Sequence, residues 1–259
     1  MPNNLKFSII TPTLNQASYI EDTIKSVLNQ NYDNFEHIII DGGSKDGTLD
    51  ILKKYKHLKW VSEKDTGQSN AINKGFKMAS GEVVAWLNSD DYYDVNAFQY
   101  VNEFFNNTNC KVLFGDITYI DENGKKLFNL SGDDISFEKL LKYPDNVRQP
   151  STFWKRSVIE DIGLLNESLH LVMDLDLFLR IGKKYEFKYL NKNLSYFRYY
   201  KDNKTLSMLR RQTFEMYAVL KQYKNLDFHD YKFLLGRFLD SLNDKNIIKK
   251  ILSLLRKKS

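Results

Sequence analysis

The sequence predicts an α/β domain with a mixed, mainly parallel sheet flanked by helices. Two observations support this prediction: short apolar runs alternate with segments of helical periodicity, and polar clusters follow the runs. The runs expected to form strands are residues 7–10, 35–40, 58–61 and 83–87. Regular strand–helix alternation is typical of a parallel sheet with helices on both faces. The fourth run is apolar throughout, as expected at the centre of such a sheet.

The helices between these strands are indicated by apolar residues three or four positions apart, such as Ile20, Ile24 and Val27. Further helices are expected around residues 51–55, 72–79 and 95–105. After residue 110, runs at 112–115, 117–120 and 126–128 with a turn at 122–124 are typical of antiparallel strands. Next, the pattern predicts helices at 157–162 and 175–181, short strands at 187–190 and 195–199, and helix from about Thr205 to the end.

Composition narrows the class of protein. The chain has 259 residues, of which 42% are hydrophobic, so it can bury a sizeable core. The net charge of +5 is spread among interleaved acids and bases, which does not favour nucleic acid as a partner. The one cysteine, Cys110, excludes an intrachain disulfide and a cysteine metal cluster. The single cysteine suits a reducing compartment, so a cytoplasmic location is expected. The sequence has no signal-peptide core at its start and no apolar run of ~18 residues.

Polar clusters follow the first four predicted strands, at residues 11–15, 41–44, 63–67 and 88–91. The carboxyl ends of parallel strands meet at one edge of a sheet, where nucleotides commonly bind. The chain has no G-x-G-x-x-G after the first strand and no P-loop, so neither a Rossmann dehydrogenase nor a P-loop NTPase is expected. The pair Asp90-Asp91 instead suggests carboxylates that hold Mn²⁺ or Mg²⁺, with the metal holding a diphosphate.

Six segments, in this order and spacing, resemble family 2 glycosyltransferases of the GT-A (Rossmann-like) fold. They are residues 8–15, 39–48, 65–82, 88–91, 148–154 and 173–180. The resemblance extends over roughly residues 6–200. It implies an inverting, hexosyltransferase-type enzyme that moves a sugar from a UDP-sugar to a glycan or lipid-linked acceptor, in surface polysaccharide synthesis.

The resemblance also implies roles for individual residues. Asp174 is the implied general base, Asp90 is the implied metal ligand, and Asp91 assists it. The implied nucleotide-sugar set is Thr11, Pro12, Leu14, Asn15, Asp41, Asp65, Ser69, Asn73, Lys74, Asn88 and Ser89. Within it, Pro12 and Leu14 are expected around the uracil and Asp41 on the base. The implied acceptor-side residues are Gln149, Trp154 and Met173.

Three positions depart from the family pattern. Gly42 and Asn88 stand where the family often has aspartate, and Met173 stands where a glutamate commonly precedes the base. One base and one metal suit an inverting transfer, in which an acceptor hydroxyl attacks opposite the departing diphosphate. The departures leave the donor and its ribose contacts open.

Simpler interpretations remain for several of these residues. Asp41 before two glycines could cap a turn, Asp90 and Asp91 could be favoured near a helix N-terminus, and Asp174 could be an N-cap. Asp176 and Arg180, four apart, are expected to form an ion pair. A sugar nucleotidylyltransferase is a second class, but the first loop lacks its glycine-rich, arginine-containing pattern. A non-catalytic nucleotide-binding scaffold on a degenerate glycosyltransferase fold is a third.

We expect two regions: residues 1–204 as the glycosyltransferase-like domain and 205–259 as a helical extension. Within the first, 1–115 would be the nucleotide-binding half and 116–204 the acceptor-side half. Residues 246–258 combine an apolar helical face with lysines and Arg256. Such a basic amphipathic helix is typical of a membrane-surface anchor on the inner face, although packing on the core is an alternative.

Overall fold

The computed structural model describes residues 3–132, 135–200 and 208–240. The chain divides into two compact units, residues 1–200 and 201–259. The expected domain boundary after residue 204 lies outside the described residues, as does the basic segment 246–258. Among the described residues, no helix is both long enough and apolar enough to cross a membrane.

The described part of the first unit contains a nine-stranded sheet. The strands are β1 Phe7–Thr13, β2 Phe35–Asp41, β3 Leu58–Ser62, β4 Val83–Trp86, β5 Tyr92–Tyr93, β6 Val112–Ile120, β7 Lys126–Leu130, β8 Thr152–Lys155 and β9 Phe187–Arg198. Their order is β3-β2-β1-β4-β8-β6-β9-β5, with β7 paired on β6. The first four strands are mutually parallel, whereas β8 runs antiparallel to both β4 and β6. The parallel first half and the mixed sheet as a whole match the prediction.

Helices connect these strands and cover the sheet. In the first unit they are α1 Ile20–Leu28, α2 Thr48–Leu52, α3 Gln68–Met78, α4 Ala97–Asn107, α5 Phe137–Lys142, α6 Arg156–Ile162 and α7 Met173–Gly182, with a short 3₁₀ turn at Gln149–Ser151. The second unit contains α8 Leu209–Leu220 and α9 Phe228–Asp240. The expected continuous helix after about Thr205 is therefore interrupted between these two helices.

The core forms where the alternating side chains of β1 meet helices. Phe7 stacks on Phe98 of α4, with ring centroids 4.8 Å apart, and both are fully buried. On α3, Gly75 lies so close to β1 that a Cβ there would be 2.3 Å from Ile10 Cγ2. The missing side chain lets α3 pack tightly against the strand. This contact sets the distance between α3 and the middle of β1.

Two pairs of predicted strands merge in the structure. Residues 112–120 form the single strand β6, and residues 187–198 form β9, which pairs with β6 in parallel over most of its length. The register between them shifts around Asp116. A break in hydrophobic periodicity can mark such an irregularity inside one strand, so periodicity alone split each strand in two.

Candidate functional site

The carboxyl ends of β1 to β4 meet at one edge of the sheet. In the parallel register, Thr13 lies beside Asp41, and Asp41 lies beside Ser62. On the other side of β1, the Leu87 N–H donates to Ile10 O at 2.8 Å, which directs the chain into residues 88–91. The four polar clusters predicted from the sequence are therefore assembled by strand pairing.

The first two loops are joined through Asn15. This residue adopts a left-handed backbone with φ of 53°, a conformation that asparagine tolerates better than most residues. Its N–H donates to Ser44 Oγ at 2.7 Å, and its Oδ1 accepts from the Lys45 N–H at 2.9 Å. Asn15 thus links the loop after β1 to the loop after β2.

Asp41 is fully buried and is bonded within its own loop. Its Oδ2 accepts from the N–H groups of Gly43 and Ser44, both at 3.0 Å, and from Ser62 Oγ at 2.6 Å. Its Oδ1 accepts from Ser44 Oγ. These are the contacts expected of an aspartate that caps a turn. The Asp41 carboxylate has no exposed surface for a ligand.

Thr11 and Pro12 are also buried, within β1. The Thr11 hydroxyl pairs with His37 Nε2 at 2.9 Å. Burial lowers the pKa of His37 to about 3, with the nearby His57 contributing, so the imidazole is neutral. Of the residues expected around the uracil, Leu14 alone is strongly exposed, at 51%.

The third loop approaches the second through Asp65. Its Oδ1 accepts from the Gly67 N–H at 2.9 Å. Its Oδ2 lies over Gly42, where a Cβ would be 2.6 Å from it and 3.5 Å from Leu14 Cδ1. Leu14, Gly42 and Asp65 therefore form one cluster at the edge of the sheet.

Ser69, Asn73 and Lys74 on α3 make contacts within the protein. Ser69 Oγ donates to Leu169 O at 2.8 Å, and Asn73 Nδ2 donates to Leu165 O at 3.0 Å. Both hydroxyl and amide are buried. Lys74 Nζ lies 2.6 Å from a Glu63 carboxylate oxygen. Ser69 and Asn73 thus hold the loop that leads into α7, and the structure does not leave them open to a sugar or phosphate.

The acidic pair follows β4. Asp91 is 1% exposed; its Oδ1 accepts from the Arg198 N–H at 3.0 Å. Asp90 is partly exposed, and its Oδ2 accepts from the Tyr200 hydroxyl at 3.0 Å. Burial raises the pKa of both carboxyls, and the Asp90 charge raises that of Asp91 further. Two adjacent carboxylates repel each other when both are ionised, and a divalent cation would offset that repulsion. Their oxygens are hard ligands of the kind that Mg²⁺ and Mn²⁺ prefer, and Asp90 is the more accessible of the two.

Arg198 organises this region, and sequence reasoning missed it. The side chain is almost fully buried. Its Nε donates to Asp90 O at 3.0 Å, and one terminal nitrogen lies 2.9 Å from Asp22 Oδ2. The guanidinium also lies over the Tyr19 ring, 4.7 Å from its centroid. No motif surrounds Arg198; only the pairing of β9 with β5 and β6 brings it to the acidic pair.

Asn88 joins α3 to the 3₁₀ turn. Its Oδ1 accepts from Gln68 Nε2 at 2.9 Å, and its Nδ2 donates to Gln149 Oε1 at 3.3 Å. Gln149 Nε2 in turn donates to Trp86 O at 2.6 Å. Ser89, next in the chain, is buried. Asn88 thus lies in a hydrogen-bond network within the protein, directly before the acidic pair in sequence.

The implied acceptor-side residues are buried. Gln149 and Met173 are each 6% exposed, and Trp154 is fully buried with its ring 5.8 Å from that of Trp86. Trp154 is therefore part of the core, and its acceptor-side role stays a prediction. Asp174 is partly exposed in the first turn of α7, where its Oδ1 accepts from the Leu175 N–H at 2.8 Å.

Two further clusters of charged residues, one in each unit, make contacts within the protein. The expected ion pair between Asp176 and Arg180 is present, at 3.0 Å. In the second unit, ligand atoms of Asp227, His229 and Asp230 lie within 4.8 Å of one another. Asp230, the buried member, already binds Lys224 Nζ at 2.6 Å.

Comparison with known proteins identifies the family. The chain matches the family described as Glycosyl transferase family 2 over residues 8–162, more than half its length, and so belongs to that family. It is 30% identical to a glycosyltransferase of Rickettsia felis named as uncharacterized, over 67% of this chain. It is 34% identical to TuaG of Bacillus subtilis, a glycosyltransferase provisionally named for teichuronic acid biosynthesis, over 52% of this chain and 56% of TuaG. The chain spans 31% of the length of the Rickettsia relative.

Solved structures confirm the fold. The crystal structure of S. aureus TarS 1–349 superposes with a TM-score of 0.66 at 22% identity, covering 92% of this chain and 71% of that one. TarS 1–349 in complex with UDP-GlcNAc gives a TM-score of 0.67 at 20% identity, covering 92% and 72%. The predicted GT-A fold is therefore confirmed, as is the predicted family.

Proposed function

We propose that this chain is an inverting glycosyltransferase that moves a sugar from a UDP-sugar to a hydroxyl of a glycan or lipid-linked acceptor. The observation that carries the proposal is the partly exposed Asp90, backed by buried Asp91, at the edge where four parallel strands end. The UDP-GlcNAc complex of TarS and the name of TuaG support the donor class and a place in surface polysaccharide synthesis.

The proposed chemistry needs one proton acceptor. Asp174 takes the proton from the acceptor hydroxyl as its oxygen attacks the anomeric carbon of the sugar. The bond between that carbon and the diphosphate oxygen breaks on the opposite face, so the configuration inverts. Asp174 is suited to this role because it is a partly exposed carboxylate at the start of α7.

The diphosphate leaves with negative charge, which a positive group must stabilise. Asp90 would hold Mn²⁺ or Mg²⁺, which supplies positive charge to the diphosphate when bound. Asp91, whose Oδ1 accepts from the Arg198 N–H, would offer a second carboxylate beside the cation. Magnesium and manganese sites of this kind use one or two carboxylates together with substrate phosphates, so a pair of aspartates is sufficient.

The test separates binding from transfer. Asp90→Ala should abolish the Mn²⁺-dependent part of UDP binding by calorimetry, whereas Asp174→Asn should bind UDP normally and lose transfer by about 10²-fold or more. Asp94 is half-buried, its carboxylate accepts from the Asn96 N–H and the Tyr196 hydroxyl, and it lies outside the proposed chemistry. Asp94→Asn therefore serves as a control for loss of one nearby carboxylate. If Asp174→Asn transferred sugar at the wild-type rate, Asp174 would not be the general base.

The scaffold alternative makes a different prediction in the same experiment. A protein that binds nucleotide without catalysis would be stabilised by UDP but would release no UDP from any UDP-sugar, with or without Mn²⁺. Ligands that bind only the native state raise its melting temperature. No thermal shift with UDP, GDP, CDP or dTDP would exclude both the transferase and the nucleotide-binding scaffold.

A further inference from the structure

Where the second loop begins, neither residue 41 nor residue 42 offers an accessible carboxylate. Asp41 is fully buried and accepts hydrogen bonds from two backbone N–H groups and two hydroxyls. Residue 42, the next position, is glycine and has no side chain. A nucleobase beside residues 41 and 42 is therefore not met by a carboxylate of either residue. Exposed Asp46, later in this loop, accepts from the Ala17 and Thr48 N–H groups.

Asp65 fills the space above Gly42. Its Oδ2 would be 2.6 Å from a Cβ on residue 42, and its Cγ would be 3.2 Å away, so no larger side chain fits there while Asp65 keeps this position. The Gly67 N–H holds Oδ1 at 2.9 Å and so orients the carboxylate. Among the described residues, no hydrogen-bond donor meets Oδ2.

An apolar surface lies beside this free oxygen. Leu14 is 51% exposed, and its Cδ1 is 3.5 Å from the same Cβ position on Gly42. A flat ring could pack on Leu14 and present its edge to Asp65 Oδ2. Small apolar surfaces next to one fixed polar group are typical of sites that orient a ligand by a single hydrogen bond.

We propose that Asp65 is the specificity-determining residue for the nucleobase of the donor, and that it accepts a hydrogen bond from a ring N–H. This inference rests on the proposed function. A carboxylate accepts hydrogen bonds and cannot donate them. It therefore selects uracil, whose N3 carries a proton, over cytosine, whose N3 is itself an acceptor. A site that hydrogen-bonds one ligand discriminates strongly against an analogue that leaves the group unpaired.

The experiment compares UDP with CDP, each with Mn²⁺, by calorimetry on the full chain. The wild-type protein should prefer UDP, and Asp65→Asn should reduce the UDP:CDP affinity ratio by about tenfold or more, because the amide can donate to cytosine N3. Gly42→Ala should reduce the ratio in the same direction, because its Cβ displaces the carboxylate. Glu63→Gln, in the same loop and exposed, should keep the wild-type ratio.

Mn²⁺ with pyrophosphate distinguishes the two proposals, since it tests the diphosphate site without a base. Wild-type pyrophosphate affinity in Asp65→Asn, together with the reduced ratio, supports the inference. An unchanged UDP:CDP ratio in Asp65→Asn overturns it and leaves the proposed function standing. Failure of the wild-type protein to bind any nucleoside diphosphate or pyrophosphate overturns both.

Discussion

Asn88 both donates and accepts hydrogen bonds where the family often has aspartate. It accepts from Gln68 and donates to Gln149, and its Nδ2 lies 3.5 Å from Asp91 Oδ2. An aspartate could not donate either bond and would add a third negative charge beside Asp90 and Asp91. The Asn88 amide therefore suits the hydrogen-bond network of this chain. Comparison of motifs alone shows only that residue 88 differs from the aspartate common in the family.

Asn88→Asp is expected to destabilise the metal-free protein. Loss of its donated hydrogen bonds and the added repulsion should lower the unfolding free energy by about 1–3 kcal/mol. Added Mn²⁺ should recover more stability in this variant than in the wild type, because the cation offsets the extra charge. Thermal melts with EDTA or Mn²⁺ measure both effects. Exposed Asn109→Asp, the control, should show neither effect, and equal melting temperatures for Asn88→Asp and the wild type would contradict the prediction.

Glu36 provides a pH-dependent contribution to stability. Burial acts to raise its pKa, but hydrogen bonds from Lys59, Ser8 and Ser80 outweigh burial and lower the pKa from 4.5 to about 2. A carboxylate with a depressed folded-state pKa stabilises the native state above its unfolded pKa. That contribution is lost as pH falls from 4.5 towards about 2.

Glu36→Gln should therefore be less stable than the wild type at pH 7, by up to about 3 kcal/mol. The difference should narrow as pH falls below 4.5. Urea unfolding at several pH values measures it, and exposed Glu103→Gln controls for removal of one carboxylate. If the difference in unfolding free energy between Glu36→Gln and the wild type stayed constant from pH 7 to below pH 4.5, Glu36 would act through packing alone.

At the scale of elements, α3 positions the loop that precedes α7. Asn73 binds the Leu165 backbone through both its donor and its acceptor, at 3.0 and 2.9 Å, and also binds Glu167. Ser69 binds Leu169 O in the same loop. The segment that resembles a donor-binding motif thus supports the helix that carries Asp174.

Asn73→Ala should lower the unfolding free energy by about 1–3 kcal/mol, because buried backbone groups of Leu165 lose their partner. It should also lower kcat more than it raises KM for the donor, since the start of α7 becomes less well fixed. Asn70→Ala, which removes one exposed bond to Glu167 from the same helix, is the matched control and should change stability by about 0.5 kcal/mol or less. If Asn73→Ala raised the KM for the donor but left kcat and stability unchanged, Asn73 would instead bind the donor.

At the scale of the whole molecule, two units are joined in one chain, and the sequence predicts a basic amphipathic helix at its end. In that predicted helix, Ile247, Ile248 and Ile251 would share one face, and lysines would cover much of the rest. We expect the full chain to co-sediment with vesicles that contain anionic lipid, and less so with neutral ones. Lys249→Glu with Lys250→Glu should reduce that binding, whereas sedimentation independent of lipid charge would favour packing of this helix on protein.

The sequence by itself determined the family, the α/β class and the four polar clusters, because periodicity and short motifs are local properties of the chain. It also located Asp90, Asp91 and Asp65 at strand ends. It split β6 and β9, since a register shift interrupts the alternation that identifies a strand.

Only the tertiary structure decided which polar residues remain open. Thr11, Asp41 and Trp154 occupy motif positions, yet strand pairing and core packing bury them. Arg198 belongs to no motif but reaches the acidic pair because β9 pairs between β6 and β5 in the sheet. A motif specifies which chemical groups are near a strand end, whereas their exposure and partners depend on segments far away in sequence, which no local pattern encodes.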